Sequence, residues 1–493
     1  MRAQTAFEYV LIVAGIVVLV VVSYMLVRGG VIPSAGGEAQ LKACQAQLAS
    51  QYDRCYSGTQ WNGCGIVSCS LCENFPFKGR TSGYAWCPGA TDSSVCYCGP
   101  APLSATASPA STTARLNNFE YGFTVYRYEL NSFSEAKIEF IANHFSLVMV
   151  TAGEDSQLSA TFAKLKSLNS NFKALKYTNG VIDYAYKPGD EREECYLHNP
   201  NTPQKDYRIT DIGQIGGYGL DACSDCWRNF FVESANESMQ YGFDGVFVDD
   251  MSAKIDRFEP PAPYAQNYWH NCKKELLNHI KTELGDKLVT FNGLYHKTDY
   301  TCSDFLEVAD GALKEGFVTK LAQYDSFLNE MYWKAMLNAI LNDITPDKYF
   351  SADCKLKNDI ANADGRMFCF TSFLLIYSPN IKYSVKDVNT DEPQYYPEMN
   401  VNIGTPTETK STVDGYYDGR VYVRDYSNGK VIVNPSETET VTYPLDKTYY
   451  LVIPEGGGVV DESGDYEGSL SYEEVSQVTV SPQTGKILLE NLP

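Results

Sequence analysis

The sequence predicts a multidomain protein built around a (β/α)8 barrel of the TIM type, and three observations lead there. Eight short apolar runs alternate with amphipathic helical patterns between residues 118 and 414. A tract of Pro, Ala, Ser and Thr separates that stretch from a Cys-dense one before it. Beyond about residue 415 the helical patterns stop and only strand-like alternation continues. A chain of 493 residues exceeds what one hydrophobic core ordinarily serves, so several domains are expected.

The eight runs are FTVYRYE (123–129), SLVMVTAG (146–153), FKALKYTNG (172–180), DGVFVDDM (244–251), KLVTFNGL (287–294), DGALKEGF (310–317), KYFSADC (348–354) and TSFLLIYSP (371–379). Helical patterns lie between them at 134–145, 155–169, 226–242, 272–284 and 329–343. Nearly continuous apolar strands followed by amphipathic helices imply a parallel sheet buried on both faces. Repetition of that unit about eight times closes the sheet into a barrel, with a doubly wound open sheet as the alternative. After residue 415, segments such as GRVYVRDYSNGKVIVNPS and KTYYLVI are punctuated by turns like Ser427-Asn428-Gly429, which predicts a C-terminal antiparallel β-sandwich over 415–493.

The first thirty residues read as a transmembrane helix. Tyr9 to Val27 carries no charge and Arg28-Gly29-Gly30 ends it, a length that matches the roughly 20 residues a bilayer-spanning helix needs. The run is rich in Val and Ile, yet a lone strand in lipid would leave its backbone unsatisfied, so a helix is expected. Residues 38–98 contain Cys44, Cys55, Cys64, Cys69, Cys72, Cys87, Cys96 and Cys98 with no long apolar period. Bridges must then supply what a core cannot, and an oxidising compartment follows. Zinc is the competing use, since Cys69 and Cys72 have C-x2-C spacing, but Cys96 and Cys98 are too close to be its second pair. Residues 99–117 form an exposed linker, and the barrel is expected over 118–414.

A formal net charge of −21 excludes nucleic acid as a partner, because phosphate neutralisation needs clustered Lys and Arg. No His pair has metal-ligand spacing, and no cofactor or metal is implied. Cys223 and Cys226 begin a helical pattern; a loop-stapling disulfide, with Cys195 as a partner, is expected there ahead of a redox pair.

In such a barrel the working side chains sit at the C-terminal ends of the strands. Those ends present Tyr126, Arg127 and Glu129, then Thr151, Glu154 and Asp155, then Tyr177 and Asn179, then Asp249 and Asp250, Asn292, Glu315 and Asp353. Carboxylates dominate the rim. Acids on separate strands aimed into one crevice suit glycosidic hydrolysis, where one carboxyl protonates the leaving oxygen and another attacks the sugar or activates water. Asp249 and Glu315 are the expected catalytic pair, with Asp250 a candidate because alternation admits only one of Asp249 and Asp250 to the mouth without saying which. Either Asp also serves as a helix cap, and Glu315 also pairs with Lys314 or Arg127 in a purely structural reading. Arg127, Tyr177, Asn292 and Tyr126 are the expected substrate-binding residues, with Tyr295 and Trp269 as further stacking candidates.

The stretch from about 118 to 490 resembles barrel glycoside hydrolases related to the endo-polygalactosaminidase and hypothetical glycosyl-hydrolase families. YGFDGVFVDD (241–250) is the main carrier, and VYVRDYSNGKVIVNPS (421–436) resembles their trailing segment, R-x-(F or Y)-x-N-G-x-V-x-V-N-P-S. The resemblance implies a strand-four nucleophile at Asp249 and a strand-six proton donor at Glu315.

The amino terminus resembles an archaeal type IV pilin. Met1-Arg2-Ala3 precedes Gln4, and Glu8 is the fifth residue counted from Gln4. The resemblance implies cleavage before Gln4 by a prepilin peptidase, with Glu8 pairing to a neighbouring subunit's new amino group in a filament. A carboxylate at bilayer depth is costly, which agrees with a dedicated role; a plain signal anchor with Glu8 at headgroup level is the alternative.

Two functions follow from the sequence. One is an extracellular, membrane- or pilus-anchored glycoside hydrolase acting on a polysaccharide. The other is a non-catalytic minor pilin or adhesin whose barrel binds glycans or acts as a spacer. A pair of carboxyls close enough for hydrolysis favours the first, and a carboxyl held in a buried ion pair favours the second.

Overall fold

The computed structural model describes residues 120–493 apart from 126–127, 152–154, 185–191, 199–207, 210–216, 260–263, 298–299, 321–322, 358–362, 388–389 and 391, together with the backbone of short strands between Tyr56 and Gly99. The chain divides into two units, Met1–Thr112 and Thr113–Pro493. In the first, Tyr56–Ser57 and Gln60–Trp61 form a hairpin. Val95–Gly99, the strand that carries Cys96 and Cys98, is the centre of a three-stranded antiparallel sheet with Val67–Ser68 and Tyr84–Trp86. The apolar span 9–27, Gln4, Glu8 and the bridges expected among the first eight cysteines lie outside the described residues. Among the described residues no helix is long and apolar enough to cross a membrane.

The second unit contains a closed barrel of eight parallel strands. They are β1 (Tyr121–Val125), β2 (Phe145–Val150), β3 (Lys173–Asn179), β4 (Gly245–Asp249), β5 (Leu288–Asn292), β6 (Gly311–Glu315), β7 (Tyr349–Leu356) and β8 (Ile381–Asp387). Each pairs with its sequence neighbour and β8 closes on β1 through Tyr383 and Tyr121. Among the described residues six helices surround it: α1 (Glu135–His144), α2 (Asp155–Leu168), α3 (Asp225–Met239), α4 (Gln266–Leu284), α5 (Glu330–Asp343) and α6 (Ala363–Ile376). Ser134, Ser224 and Asn329 accept backbone N–H groups at the first turns of α1, α3 and α5, which fixes where these helices begin. Gly285 ends α4 with a left-handed φ of 63°, a conformation that Gly adopts without the Cβ clash.

Two expectations are corrected. The run TSFLLIYSP is not the eighth strand; its first six residues are the end of α6, and the strand is the next segment, Ile381–Asp387. A short apolar run reads equally well as a buried strand or as a helix buried on every side, and α6 is buried throughout from Gly365 to Ile376. The C-terminal region is one coiled antiparallel sheet and not a sandwich of two. Its five strands are β9 (Tyr422–Tyr426), β10 (Gly429–Asn434), β11 (Val441–Gly456), β12 (Gly468–Val480) and β13 (Thr484–Leu489), in the order β9-β10-β13-β11-β12. One face, with Val431, Val433 and Ile487, joins the barrel's core around α6. Helix α6 therefore supplies the second layer that a partner sheet would have provided. The other face closes over Val421, Ile432, Tyr449, Val478 and Leu488, where β11 bulges between Pro444 and Tyr449 and bends.

The trailing motif is the docking device. Arg424, on β9, is 1 % exposed and donates to the carbonyls of Leu374, Leu375 and Tyr377 at 2.9, 3.0 and 3.0 Å. Tyr426 adds a 2.6 Å bond to the Leu374 carbonyl. Together they supply donors to carbonyls at the buried end of α6 and just beyond it, where the helix itself leaves acceptors over.

The loops after β3 and β4 build a wall on one side of the barrel mouth. Ile182–Asp183, Tyr218–Gly219, Arg208–Ile209 and Phe258–Glu259 make a four-stranded antiparallel sheet. Cys195–Cys226 and Cys223–Cys272 anchor it to α3 and α4, and Cys354–Cys369 ties β7 to α6. Cys223 and Cys226 thus bridge outward, Cys226 to Cys195 as expected, and not to each other.

Candidate active site

Alternation along β4 is resolved by the core. Phe247 points into the barrel, packed with Met149, Leu175 and Leu313, so Asp249 two residues later also points inward at the mouth. Its carboxylate accepts three hydrogen bonds: from the Tyr177 hydroxyl at 2.5 Å, the Asn292 side-chain amide at 2.8 Å and the Asp250 backbone N–H at 2.7 Å. Burial, then the Asp250 and Glu315 charges, raise Asp249 to about 6 against the relief these donors give.

Asp250 turns away. It adopts a left-handed φ of 59°, a conformation that Asp tolerates better than most residues. Its carboxylate is held by Arg257 at 2.5 Å and by the Asn179 amide at 2.7 Å. Tyr184, from the wall, is 44 % exposed, and burial and then the Asp250 charge raise its hydroxyl above the ordinary tyrosine value. These contacts couple the wall to the rim, so Asp250 is placed as a tether beside Asp249.

Glu315 ends β6 and shares the Asn292 amide nitrogen with Asp249, at 3.1 Å. The two carboxylate oxygens that this nitrogen touches are therefore no more than about 5.9 Å apart. Lys355, on β7, contacts the other oxygen of Glu315 and lies 3.9 Å from Asp353. Burial alone would push Glu315 up, but Lys355 more than offsets it, aided by the Asn292 amide, and the group is held below the ordinary glutamate value. Asp353 is buried, which raises it, while Lys355 and a 2.6 Å bond from Ser384 act the other way. Lys314 points out of the barrel, donates to the Glu315 carbonyl at 2.7 Å, and is lowered by burial to about 8.

Of the residues the sequence singled out, Tyr177, Asp249, Asn292 and Glu315 come together in one hydrogen-bonded constellation, with Asp250 and Asn179 at its edge. Tyr126 and Arg127 lie outside the described residues. Asp155 is bound to Lys176 and Ser238 behind the barrel wall, away from the mouth. Trp269 and Tyr295 are packing residues: Trp269 is fully buried and donates to the Ala253 carbonyl, and Tyr295 donates to Asp343. Glu315 has its side-chain partner in Lys355, not in Lys314. Sequence reading missed Lys355 because the seventh strand was ended at Cys354; extending the alternation Ser351, Asp353 by two residues reaches it. Tyr184 and Arg257 had no signal, since they arrive on loops. Among the described residues no group of three His, Cys, Asp or Glu side chains is placed to hold a metal ion.

The chain folds into a parallel barrel with carboxylates converging at its C-terminal mouth, and a family match agrees with that architecture. Residues 166–430, more than half of the chain, match the family described as hypothetical glycosyl hydrolase family 15, and the chain belongs to that family. Among solved structures, the chain is similar to the glycoside hydrolase domain of PelA from Pseudomonas aeruginosa, at 14% identity and a TM-score of 0.39, covering 55% of this chain and 96% of that one. It is similar to an α-amylase from Geobacillus thermoleovorans solved with acarbose, at 11% identity and 0.41, covering 75% and 98%. It is also similar to an α-galactosidase from Thermus thermophilus solved with stachyose, at 10% and 0.39, covering 57% and 63%. No curated protein matches the sequence.

Proposed function

We propose that this chain is a cell-surface glycoside hydrolase, carried by a pilin-like amino terminus, that cuts a polysaccharide or glycan by double displacement. The observation that carries the reading is the single Asn292 amide touching both Asp249 and Glu315. It holds one oxygen of each carboxyl within about 5.9 Å of the other, a spacing compatible with the roughly 5–5.5 Å between the carboxyls of retaining enzymes. In this mechanism Asp249 attacks the anomeric carbon, and the bond to the leaving oxygen breaks as Glu315 delivers a proton to it. Glu315 then removes a proton from water, which displaces Asp249. Three donors on the Asp249 carboxylate hold it in position for attack, and in this reading Tyr177 and Asn292 also contact sugar hydroxyls.

The test is reducing-sugar release from a panel of polysaccharides by the full chain in detergent, with Asp249→Asn and Glu315→Gln as controls. Release by the wild type and a loss of about 10³-fold or more in each variant is expected. Equal traces from all three would end the enzyme reading. The anchoring part is checked separately by mass spectrometry of the amino terminus, where Gln4 as the first residue is expected and an intact Met1 would overturn it.

One observation favours the second reading, a glycan-binding subunit without catalysis. Lys355 holds Glu315 ionised, and an ionised carboxyl cannot donate a proton. Under that reading glycans bind equally to the wild type and Asp249→Asn, and neither releases sugar.

A further inference from the structure

The Lys355 contact poses a problem that the site itself is built to solve. Glu315 must hold a proton for the first step of double displacement, yet it rests against an ammonium group. Asp353 stands beside it: Glu315 and Asp353 are register partners on β6 and β7, both pointing inward. Asp353 is 5 % exposed. Its Oδ1 accepts the Ser384 hydroxyl at 2.6 Å, and its Oδ2 lies 3.9 Å from the same Lys355 Nζ that contacts Glu315. One ammonium therefore stands between two neighbouring carboxyls, in contact with one and just short of the other.

We infer that Asp353 and Lys355 form a proton switch behind Glu315: Lys355 moves from Glu315 to Asp353 as a proton passes from Asp353 to Glu315. The exchange balances. The O–H bond of Asp353 breaks, an O–H bond forms on Glu315, and the ammonium keeps its protons and follows the negative charge, so the net charge of the trio is unchanged. The resting state has a buried Asp353 disposed to protonation and a Glu315 disposed to ionisation, the distribution that burial and Lys355 favour. Among the described residues, Asp249 on β4, the Asn292 amide on β5 and Lys386 on β8 also face the trio, and the charge of Lys314 on β6 acts on it from outside the barrel. Asp353 and Lys355 act here through Glu315, as positioning residues. The inference rests on the proposed hydrolase reading for its purpose, but its chemistry is measurable without any sugar.

A carbodiimide with an amine nucleophile couples to accessible carboxyl groups in their protonated form, and peptide mapping of the full chain reports coupling at Glu315 against pH. Lys355→Met is expected to raise coupling at Glu315 near neutral pH about tenfold or more, the effect of moving its titration by one unit. Lys355→Arg, which keeps the charge, is expected to leave Glu315 protected. Asp353→Asn is expected to move the onset of Glu315 coupling to lower pH, since Lys355 then serves Glu315 alone. Equal coupling in the wild type and Lys355→Met would overturn the switch. So would an Asp353→Asn curve that overlays the wild type, because Lys355 would then be a fixed counter-charge. Sugar release is read in parallel: with an active polysaccharide, Asp353→Asn is expected to lower kcat with KM unchanged. The coupling pattern without any sugar release would sink the hydrolase reading and leave the switch standing.

Discussion

The two segments that carry the resemblance to glycoside hydrolases, 241–250 and 421–436, end in opposite situations. In the first, Asp249 is a carboxylate with its protonation displaced to about 6, beside the charges of Asp250 and Glu315. In the second, Arg424 and Tyr426 are polar groups buried against helix α6, with carbonyl acceptors for what they donate. Both are polar residues on strands, and a sequence pattern ranks them alike. The difference teaches how to tell a structural motif from a chemical one: the structural one has its polar groups satisfied and sealed, while the chemical one holds like charges close together. Asp249, Asp250 and Glu315 are like charges kept near one another, which marks the first segment as the candidate for chemistry.

Substitution sets the comparison its hardest test. Asp249→Asn is expected to lower any hydrolysis by about 10³-fold or more without loss of folded protein, whereas Arg424→Met is expected to cost roughly 3–5 kcal/mol of stability by stranding the α6 carbonyls. Denaturant unfolding and specific activity per folded molecule separate the two. An Arg424→Met protein with native stability would remove the docking role assigned to the second segment.

A smaller effect lies in the pH dependence of stability. Asp249 is raised from 3.8 to about 6 in the folded chain, so folding favours its protonated form. The contribution is fully present below the ordinary aspartate value and is lost as pH rises through about 6. The wild type should therefore lose up to about 2–3 kcal/mol relative to Asp249→Asn between about pH 4 and 7, read from denaturation midpoints over that range. Parallel curves for the two proteins would show that the burial of Asp249 costs nothing.

Tyr177→Phe should produce the smallest change. It deletes one donor to the Asp249 carboxylate, so Asp249 rises further. The acidic limb of kcat/KM is expected to move to higher pH with a loss of about tenfold at neutral pH. A drop without any shift of the limb would make Tyr177 a contact to substrate alone.

Much of the fold was legible because its signals are local. The helical patterns at 134–145 and 226–242 and seven of the eight apolar strand runs can be read from neighbours in sequence. The eighth strand differs from the sequence expectation because residues 371–376 are buried on every side, and the reason for that, a sheet from the C-terminal region covering α6, lies far along the chain. The site divides the same way. Asp249, Asn292, Tyr177 and Glu315 are marked by strand ends, whereas Lys355, Arg257 and Tyr184 reach the mouth by strand length and loop path.

By itself the sequence determined the alternation of strands and helices, the acidic residues at the strand ends and the separation of a Cys-dense segment from the barrel, since these depend on composition and period alone. Only the tertiary structure decided which of Asp249 and Asp250 faces the mouth, which cysteines pair and which lysine holds Glu315. Each of those depends on the closing of the barrel, where the register between strands brings together side chains that no local pattern connects.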